Sequence, residues 1–536
     1  MNSRTTNWTN SDDAMLENAV RRRATRRELL HMLLSGGMAM SAGTVMLGRA
    51  SDAVAATPVA GGHLKVVGFT SSTADTLDPA KASNSTDYSR CCALYNRLSV
   101  LDKSGQTQME LAERIDSADA KIWTVKLRKG VVFHDGKPLT SADVIFSLKR
   151  HLDPNIGSKV NAIAKQITDL KAVDDLTVEI TLTAANADLP TILALHHFMI
   201  VADGTTDFSK GNGTGAFVLD SFKPGVRSIM RKNRNYWKAG GPHVDTFEFF
   251  AINEDNARVN ALLSGDIHVA GAINPRSVRL VESQPGFVLS RSSSNNYTNL
   301  NVRLDMAPGQ NKDFVTGMKH LVNREQILKS ALRGFGDIGN DQPVFPGNIY
   351  RNNDLRPKPF DPDKAKFYFK KADVFGQSVP VVASEAASSS IDMAMLLQAN
   401  AAAIGLKVDI QRVPSDGYWN NYWLKAPVHF GNINYRPTPD ILFSLLYASQ
   451  APWNESHYKS ERFDGMLVEG RGMLDQTKRK EIYGQLQVMI AEDAGTIIPA
   501  YIAGVDAVTA KLKGMEINPL GGMMGYSMAE HVWFAA

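Results

Sequence analysis

The 536-residue chain holds 59 Lys+Arg against 55 Asp+Glu, a formal net charge of +4, and only 2 Cys. At ~150 residues per domain the length allows about three domains, and so small a charge gives no case for nucleic-acid binding. With 43% hydrophobic and 21% charged residues, neither a disordered chain nor a multispan membrane protein is favoured, and two cysteines can build neither a disulfide framework nor a four-thiolate zinc site.

Residues 1–56 differ from the rest. A basic stretch, Arg21-Arg22-Arg23-Ala24-Thr25-Arg26-Arg27, precedes a Gly- and Met-rich apolar run from Leu29 to Gly48, and small residues Ala53 to Ala56 follow. Basic, apolar, small is the order of a cleavable export signal. Arg26-Arg27 ahead of Leu29-Leu30 resembles the twin-arginine type, with cleavage expected near Ala55/Ala56 and a mature protein free in the periplasm. No Cys stands at the cleavage region to accept a lipid. An amphipathic helix on a cytosolic protein is the alternative reading.

Beyond Ala56 the pattern is mixed. His63 to Phe69 (HLKVVGF) fits a short strand. Trp123, Val125 and Leu127 alternate with polar residues, as do Leu176, Val178, Ile180 and Leu182, the period-2 signature of half-buried strands. Between them the turn His134-Asp135-Gly136-Lys137-Pro138 leads to Thr140, an N-cap three residues before Asp143. Late in the chain Asp475 is placed to cap a helix in which Ile482, Leu486, Met489 and Ile490 recur at helical spacing. Interleaved strands and helices indicate an α/β (mixed α+β) fold.

Catalytic patterns are absent or misplaced. Gly211-Asn212-Gly213-Thr214-Gly215-Ala216 fits the dinucleotide pattern only on paper, because a strand-like Phe217 to Phe222 follows where a helix N-terminus is needed. His196-His197, as neighbours on a helix or strand, would point apart and have no third ligand close by, so packing or capping is expected. Cys91-Cys92 are too close for an ordinary disulfide and read as buried thiols on a helix. No enzyme, metal site or cofactor is expected.

Several blocks in order carry a resemblance: Thr76-Leu77-Asp78-Pro79; Leu94-Tyr95-Asn96-Arg97-Leu98; the stretch from Trp123 to Val144 (WTVKLRKGVVFHDGKPLTSADV); Gly213 to Phe217; Asn233 to Trp237; Ala261 to Ile267; and Phe360 to Lys366. Together they resemble the family 5 extracellular solute-binding proteins of ABC importers, the dipeptide- and oligopeptide-binding group. The resemblance implies a two-lobed periplasmic binding protein of type II with an extra N-terminal subdomain and a hinge between lobes. By analogy residues 57–95, 212–300 and 505–536 form the base of lobe one, 96–211 the extra subdomain and 301–504 lobe two, with crossovers near 299–303 and 499–505. It also implies a peptide or peptide-like ligand and ABC permease subunits as partners; Arg26-Arg27 adds the twin-arginine translocase during export, and a monomer is expected. An opine, amine, nickel-complex or haem cargo in the same fold, or a cofactor-containing periplasmic enzyme, are the alternatives.

In peptide-binding relatives a lobe-two carboxylate holds the ligand's amino group. The matching stretch, Asn432 to Leu442, puts Asp440 at that position, where it could equally cap the helix that follows. Arg436, four residues earlier, would neutralise Asp440 or grip a ligand carboxylate. Trp419, Tyr422, Trp423, Tyr435 and Trp453 make an aromatic region suited to a pocket wall or to the core of lobe two. On the opposite lobe Ser71 and Ser72, at the end of the first strand, are candidate donors to the ligand.

Overall fold

In the computed structural model, which describes residues 58–68, 70–518 and 520–535 with the side chains of 293–295 left aside, the first apolar run becomes β1 (His63–Gly68). The stretch expected to be an export signal and Phe69 lie outside the described residues. Helix α1 (Ser85–Leu94) starts at Asn84, whose side chain accepts from the amides of Thr86 and Asp87. It carries Cys91 and Cys92 as buried free thiols, and burial pushes the Cys92 thiol up to about 12.

Residues 98–202 then close a separate core. Strands β2 (Ala112–Asp116), β3 (Ile122–Leu127), β4 (Ile167–Asp174) and β5 (Thr177–Leu182) form an antiparallel sheet in the order β2-β3-β5-β4. The alternation read from sequence is realised there: Trp123, Val125 and Leu127 are buried with Val178, Ile180 and Leu182. Helix α2 (Ser141–Arg150) opens as expected, the Asp143 carboxylate accepting from the Thr140 amide at 2.8 Å in a capping box.

The Gly211–Gly215 segment is a close-packed connection. A Cβ on Gly213 or Gly215 would overlap the backbone carbonyl of Leu94, and the strand β6 (Phe217–Lys223) follows directly. His134 reaches this segment, its two ring nitrogens 3.2 Å from the carbonyls of Gly211 and Gly215. Two blocks of the family resemblance therefore meet as partners in packing.

From there the chain builds β7 (Arg227–Lys232), β8 (Thr246–Ala251), β9 (Val269–Ala270) and the long β10 (Phe287–Val302). Helix α3 (Lys312–Leu321), β11 (Ser378–Ala383), β12 (Lys407–Arg412), β13 (Val428–Asn434), α4 (Pro439–Leu446), α5 (Glu461–Gly472), α6 (Gln476–Asp493) and β14 (Ala500–Thr509) follow. Ten of these strands run through one mixed sheet in the order β12-β11-β13-β10-β14-β9-β1-β8-β7-β6. At its centre β10 and β14 pair antiparallel and belong to both halves. Phe287 and Leu289 of β10 pack into the lobe-one core with Val259 and Leu262, whereas Leu300 and Val302 enter the lobe-two core with Phe314 and Val381. Between these halves the β10–β14 register shifts between Arg291 and Asn296, opposite Ile502 to Val505. Bulges of this kind bend and twist a strand.

Lobe two has an internal tie from a buried cation. Lys319 of α3 is 1% exposed, and its ammonium donates to the last carbonyls of α6, Ala491 at 2.7 Å and Ala494 at 2.8 Å. Those carbonyls lack intrahelical partners and carry the negative end of the helix dipole. Burial pulls the Lys319 ammonium down to about 8, so it is still mostly protonated at pH 7. Lys319→Met is expected to lower the unfolding free energy by about 2 kcal/mol in urea titration at pH 7; a loss below about 0.5 kcal/mol would show that water replaces the lysine.

Candidate cleft between the lobes

Residues from both lobes and the 98–202 subdomain enclose a cleft of about 820 Å³, large enough for a small solute. Its lobe-one wall is aromatic. Tyr88, on α1, stacks on His196 with ring centroids 5.1 Å apart, meets His197 edge-on at 5.4 Å and Tyr526 at 5.5 Å. His196 Nε2 lies 2.9 Å from the Gly525 carbonyl and His197 Nε2 3.1 Å from that of Ala82. Each therefore donates from Nε2 as a neutral imidazole. Burial pushes them down to about 3 and about 4, so neither carries charge at neutral pH.

The two histidines were expected to point apart. They share one face because residues 193–197 form a turn, not a helix or strand, and the strand or helix geometry behind that expectation does not apply. Sequence reading missed them as wall residues for this reason. Tyr526 and Asp506 come from the C-terminal return of the chain, where no motif marked them.

Asp506 sits on β14 beside the register shift and also lines the cleft. Its carboxylate accepts from the amides of Ala272 at 2.8 Å and Met523 at 2.6 Å. Burial, only partly offset by those amides, pushes its pKa up. Among the described residues no Lys or Arg pairs with it.

Opposite, lobe two contributes Asn434, Tyr435, Arg436, Pro437 and Ile441. The Arg436 Nη1 donates to the carbonyls of Asn434 at 3.2 Å and Tyr435 at 3.0 Å, and the guanidinium lies 6.0 Å from the Trp453 ring centroid. Burial draws its pKa down from the usual value. Among the described residues no carboxylate lies within ion-pair distance of Arg436, so this half-buried cation on the cleft wall has no protein anion in contact with it.

Asp440 is placed otherwise than its motif position implied. It is absent from the cleft lining, 6% exposed, and accepts from Arg471 Nε at 2.9 Å. The cap of α4 is Thr438, whose hydroxyl accepts from the Ile441 amide, leaving Asp440 in the first turn. Burial still pushes Asp440 up to about 6. Arg436 and Asp440 therefore do not neutralise each other. Pro437 and Thr438 turn the chain between them so that one faces the cleft and the other the interior of the lobe contact.

Of the remaining candidates, Tyr435 lines the cleft and packs on Phe345 at 5.5 Å. Trp419 and Trp453 do not line it. They stand 39% and 36% exposed, joined through Trp423 by edge-to-face contacts of 5.5 and 5.6 Å. Ser71 and Ser72 are occupied at a turn: the Ser71 hydroxyl donates to Asp75, and the Ser72 amide donates to Asp75 at 2.9 Å. It is their neighbour Thr70 that reaches the cleft.

Residues 106–455 match the family model for bacterial extracellular solute-binding proteins, family 5 middle. The dipeptide-binding protein of Escherichia coli K12 is 27% identical over 473 residues, covering 80% of this chain and 87% of that protein. Heme-binding protein A of Haemophilus influenzae is 26% identical over 493 residues, covering 83% and 88%. The solved structure of HbpA2 from Haemophilus parasuis has the same fold, with a TM-score of 0.79 at 21% identity, covering 88% of this chain and 100% of that one. Two lobes joined through β10 and β14 are thus the type II binding-protein fold, and the chain belongs to the bacterial extracellular solute-binding proteins of family 5.

Proposed function

We propose that this protein captures a carboxylate-bearing, peptide-like solute in the cleft and delivers it to the permease of an ABC importer. The observation that carries the reading is Arg436: a cation on the cleft wall, stripped of part of its water and with no described carboxylate within ion-pair distance. Burial of an unpaired charge is costly, and a ligand carboxylate relieves it with charge-assisted hydrogen bonds. Across the cleft Asp506 offers the complementary anion, and a ligand ammonium would supply its counter-charge. Tyr88, His196 and Tyr526 give a flat, uncharged wall for the part of the solute between. A solute touching both walls favours the closed arrangement, and the closed face is what a permease would recognise.

The name of each relative belongs to that relative: one is a dipeptide-binding and another a heme-binding protein at nearly equal identity, so identity does not choose the cargo. The test is calorimetry with dipeptides and their C-terminal amides. The acid is expected to bind and the amide to lose about 10- to 100-fold, with Arg436→Ala losing a similar factor. Equal affinity for acid and amide, or unchanged affinity in Arg436→Ala, would overturn the carboxylate reading. A Soret band or bound nickel in the purified protein would instead support the heme or metal-complex alternative.

Export through the twin-arginine translocase, cleavage near Ala55/Ala56 and a monomeric periplasmic product complete the proposal. N-terminal sequencing of the secreted protein in strains with and without that translocase checks it. Among the described residues no helix is long and apolar enough to cross a membrane.

A further inference from the structure

The subdomain and lobe two touch outside the solute cleft. Asp188, in the turn before the short helix Leu189–Ile192, is 1% exposed and forms an ion pair with Arg479 of α6, itself 5% exposed. Beside it the Ala187 amide donates to the Arg471 carbonyl at 2.8 Å, and the Arg471 side chain holds Asp440. Ile441 of α4 packs on the subdomain core. A Cβ at Gly472 would sit 3.3 Å from that of Ala185. Neither Asp188 nor Arg479 lines the cleft.

We infer that Asp188 and Arg479 are positioning residues that latch the subdomain onto lobe two, so that the closed population is set partly by a buried ion pair no solute touches. The reasoning rests on where the two charges sit. Asp188 leads into a helix of the subdomain core, since Leu189 and Ile192 belong to that core. Arg479 is fixed within lobe two, its guanidinium 4.5 Å from the Tyr350 ring centroid and 5.8 Å from that of Tyr483. Any separation of the lobes along this contact parts the pair. Closure is the only state in which both charges are desolvated together, and removing one partner leaves the other buried and unpaired in that state alone. The apparent affinity for a solute that needs the closed form scales with the closed fraction, so the latch acts on affinity without touching ligand. The Asp440 site acquires a role in the same view: it fixes Arg471, whose carbonyl is the neighbouring contact.

The geometry supplies a ligand-free test. The Ala185→Cys/Gly472→Cys pair brings two thiols to disulfide distance only when the latch is shut, and the native Cys91 and Cys92 are buried. The rate of cross-linking under a fixed oxidant, followed by mass spectrometry on the mature protein without solute, reads the closed population. Adding Asp188→Asn is expected to slow cross-linking about tenfold, and Arg479→Gln to do the same. Small-angle scattering of Asp188→Asn and Arg479→Gln, without the added cysteines, is expected to show a larger radius of gyration at an unchanged melting temperature. Equal cross-linking rates and radii in folded Asp188→Asn and wild type would overturn the latch. Since no ligand enters the measurement, the result is independent of whether the cleft binds a carboxylate.

Discussion

Arg90→Met is expected to unfold with about 3–5 kcal/mol less free energy than the wild type at pH 7, the cost of leaving a buried carboxylate without its cation. Arg90 and Asp75 are both fully buried as side chains, 2.7 Å apart. The guanidinium is also hydrogen-bonded to Ser228 at 3.2 Å and lies 5.2 and 5.4 Å from the ring centroids of Phe222 and Phe249. Asp75 in turn holds Ser71, the Ser72 amide and the Gly225 amide. Burial alone would raise its pKa, but the bonds from Ser71 and Arg90 outweigh this and hold it below the usual value.

The sign of the pH dependence follows. A carboxylate with a depressed folded pKa contributes stability above its unfolded pKa of 3.8 and loses it as pH falls through the folded value. In Arg90→Met that depression disappears, so Asp75 takes up a proton at higher pH and the variant loses less on acidification. The gap between the two proteins therefore narrows toward pH 4. Urea titrations at pH 7 and pH 4 measure both effects. A gap under about 1 kcal/mol at pH 7, or one that widens in acid, would refute the account. Asp75→Asn in the Arg90→Met background is expected to recover part of the loss, because the remaining buried charge is gone.

The same turn shows how sequence and structure divide the work. The His63–Gly68 strand and the Ser/Thr-rich turn beyond it were readable because apolar runs and small polar residues act locally. That Asp75 ties this turn to Arg90 was not, since Arg90 is fixed in turn by Ser228, 138 positions farther along the chain. Position in a family motif put Asp440 at a ligand, yet Arg471, 31 residues on, takes its carboxylate. Arg436 was legible as an added charge, and the structure supplies what the sequence lacked: a place on the cleft wall with no described carboxylate within ion-pair distance. His196 and His197 show the opposite case, visible as a pair but misjudged because the chain turns there. Local periodicity determines elements, whereas a cleft between lobes is assembled from residues that share no neighbourhood in the chain.

Glu455→Gln is expected to abolish a pH dependence of stability centred between pH 4.5 and 7. Glu455 is 3% exposed and has no cationic partner among the described residues. Its carboxylate accepts from the Trp423 indole and from the Asn299 amide, each at 2.6 Å, and Gly431 is required opposite because a Cβ there would overlap it. Burial outweighs those bonds and pushes Glu455 up to about 7 from 4.5. A raised acid is stabilising below its unfolded pKa, and that stability is lost as pH rises through the folded value. The wild type should therefore lose about 3 kcal/mol from this group between pH 4.5 and 8, while Glu455→Gln should be flat in that term. Asp440, also raised, titrates in both proteins, so the difference between their curves isolates Glu455. Asn299 lies on the lobe-two half of β10, and Trp423 joins Trp453 beside Arg436, so Glu455 keeps the crossing strand and the cleft wall in one packed unit. Thermal unfolding of both proteins from pH 4.5 to 8 decides the matter. Parallel curves would mean that Glu455 keeps its charge in the folded state and that Trp423 and Asn299 alone compensate it.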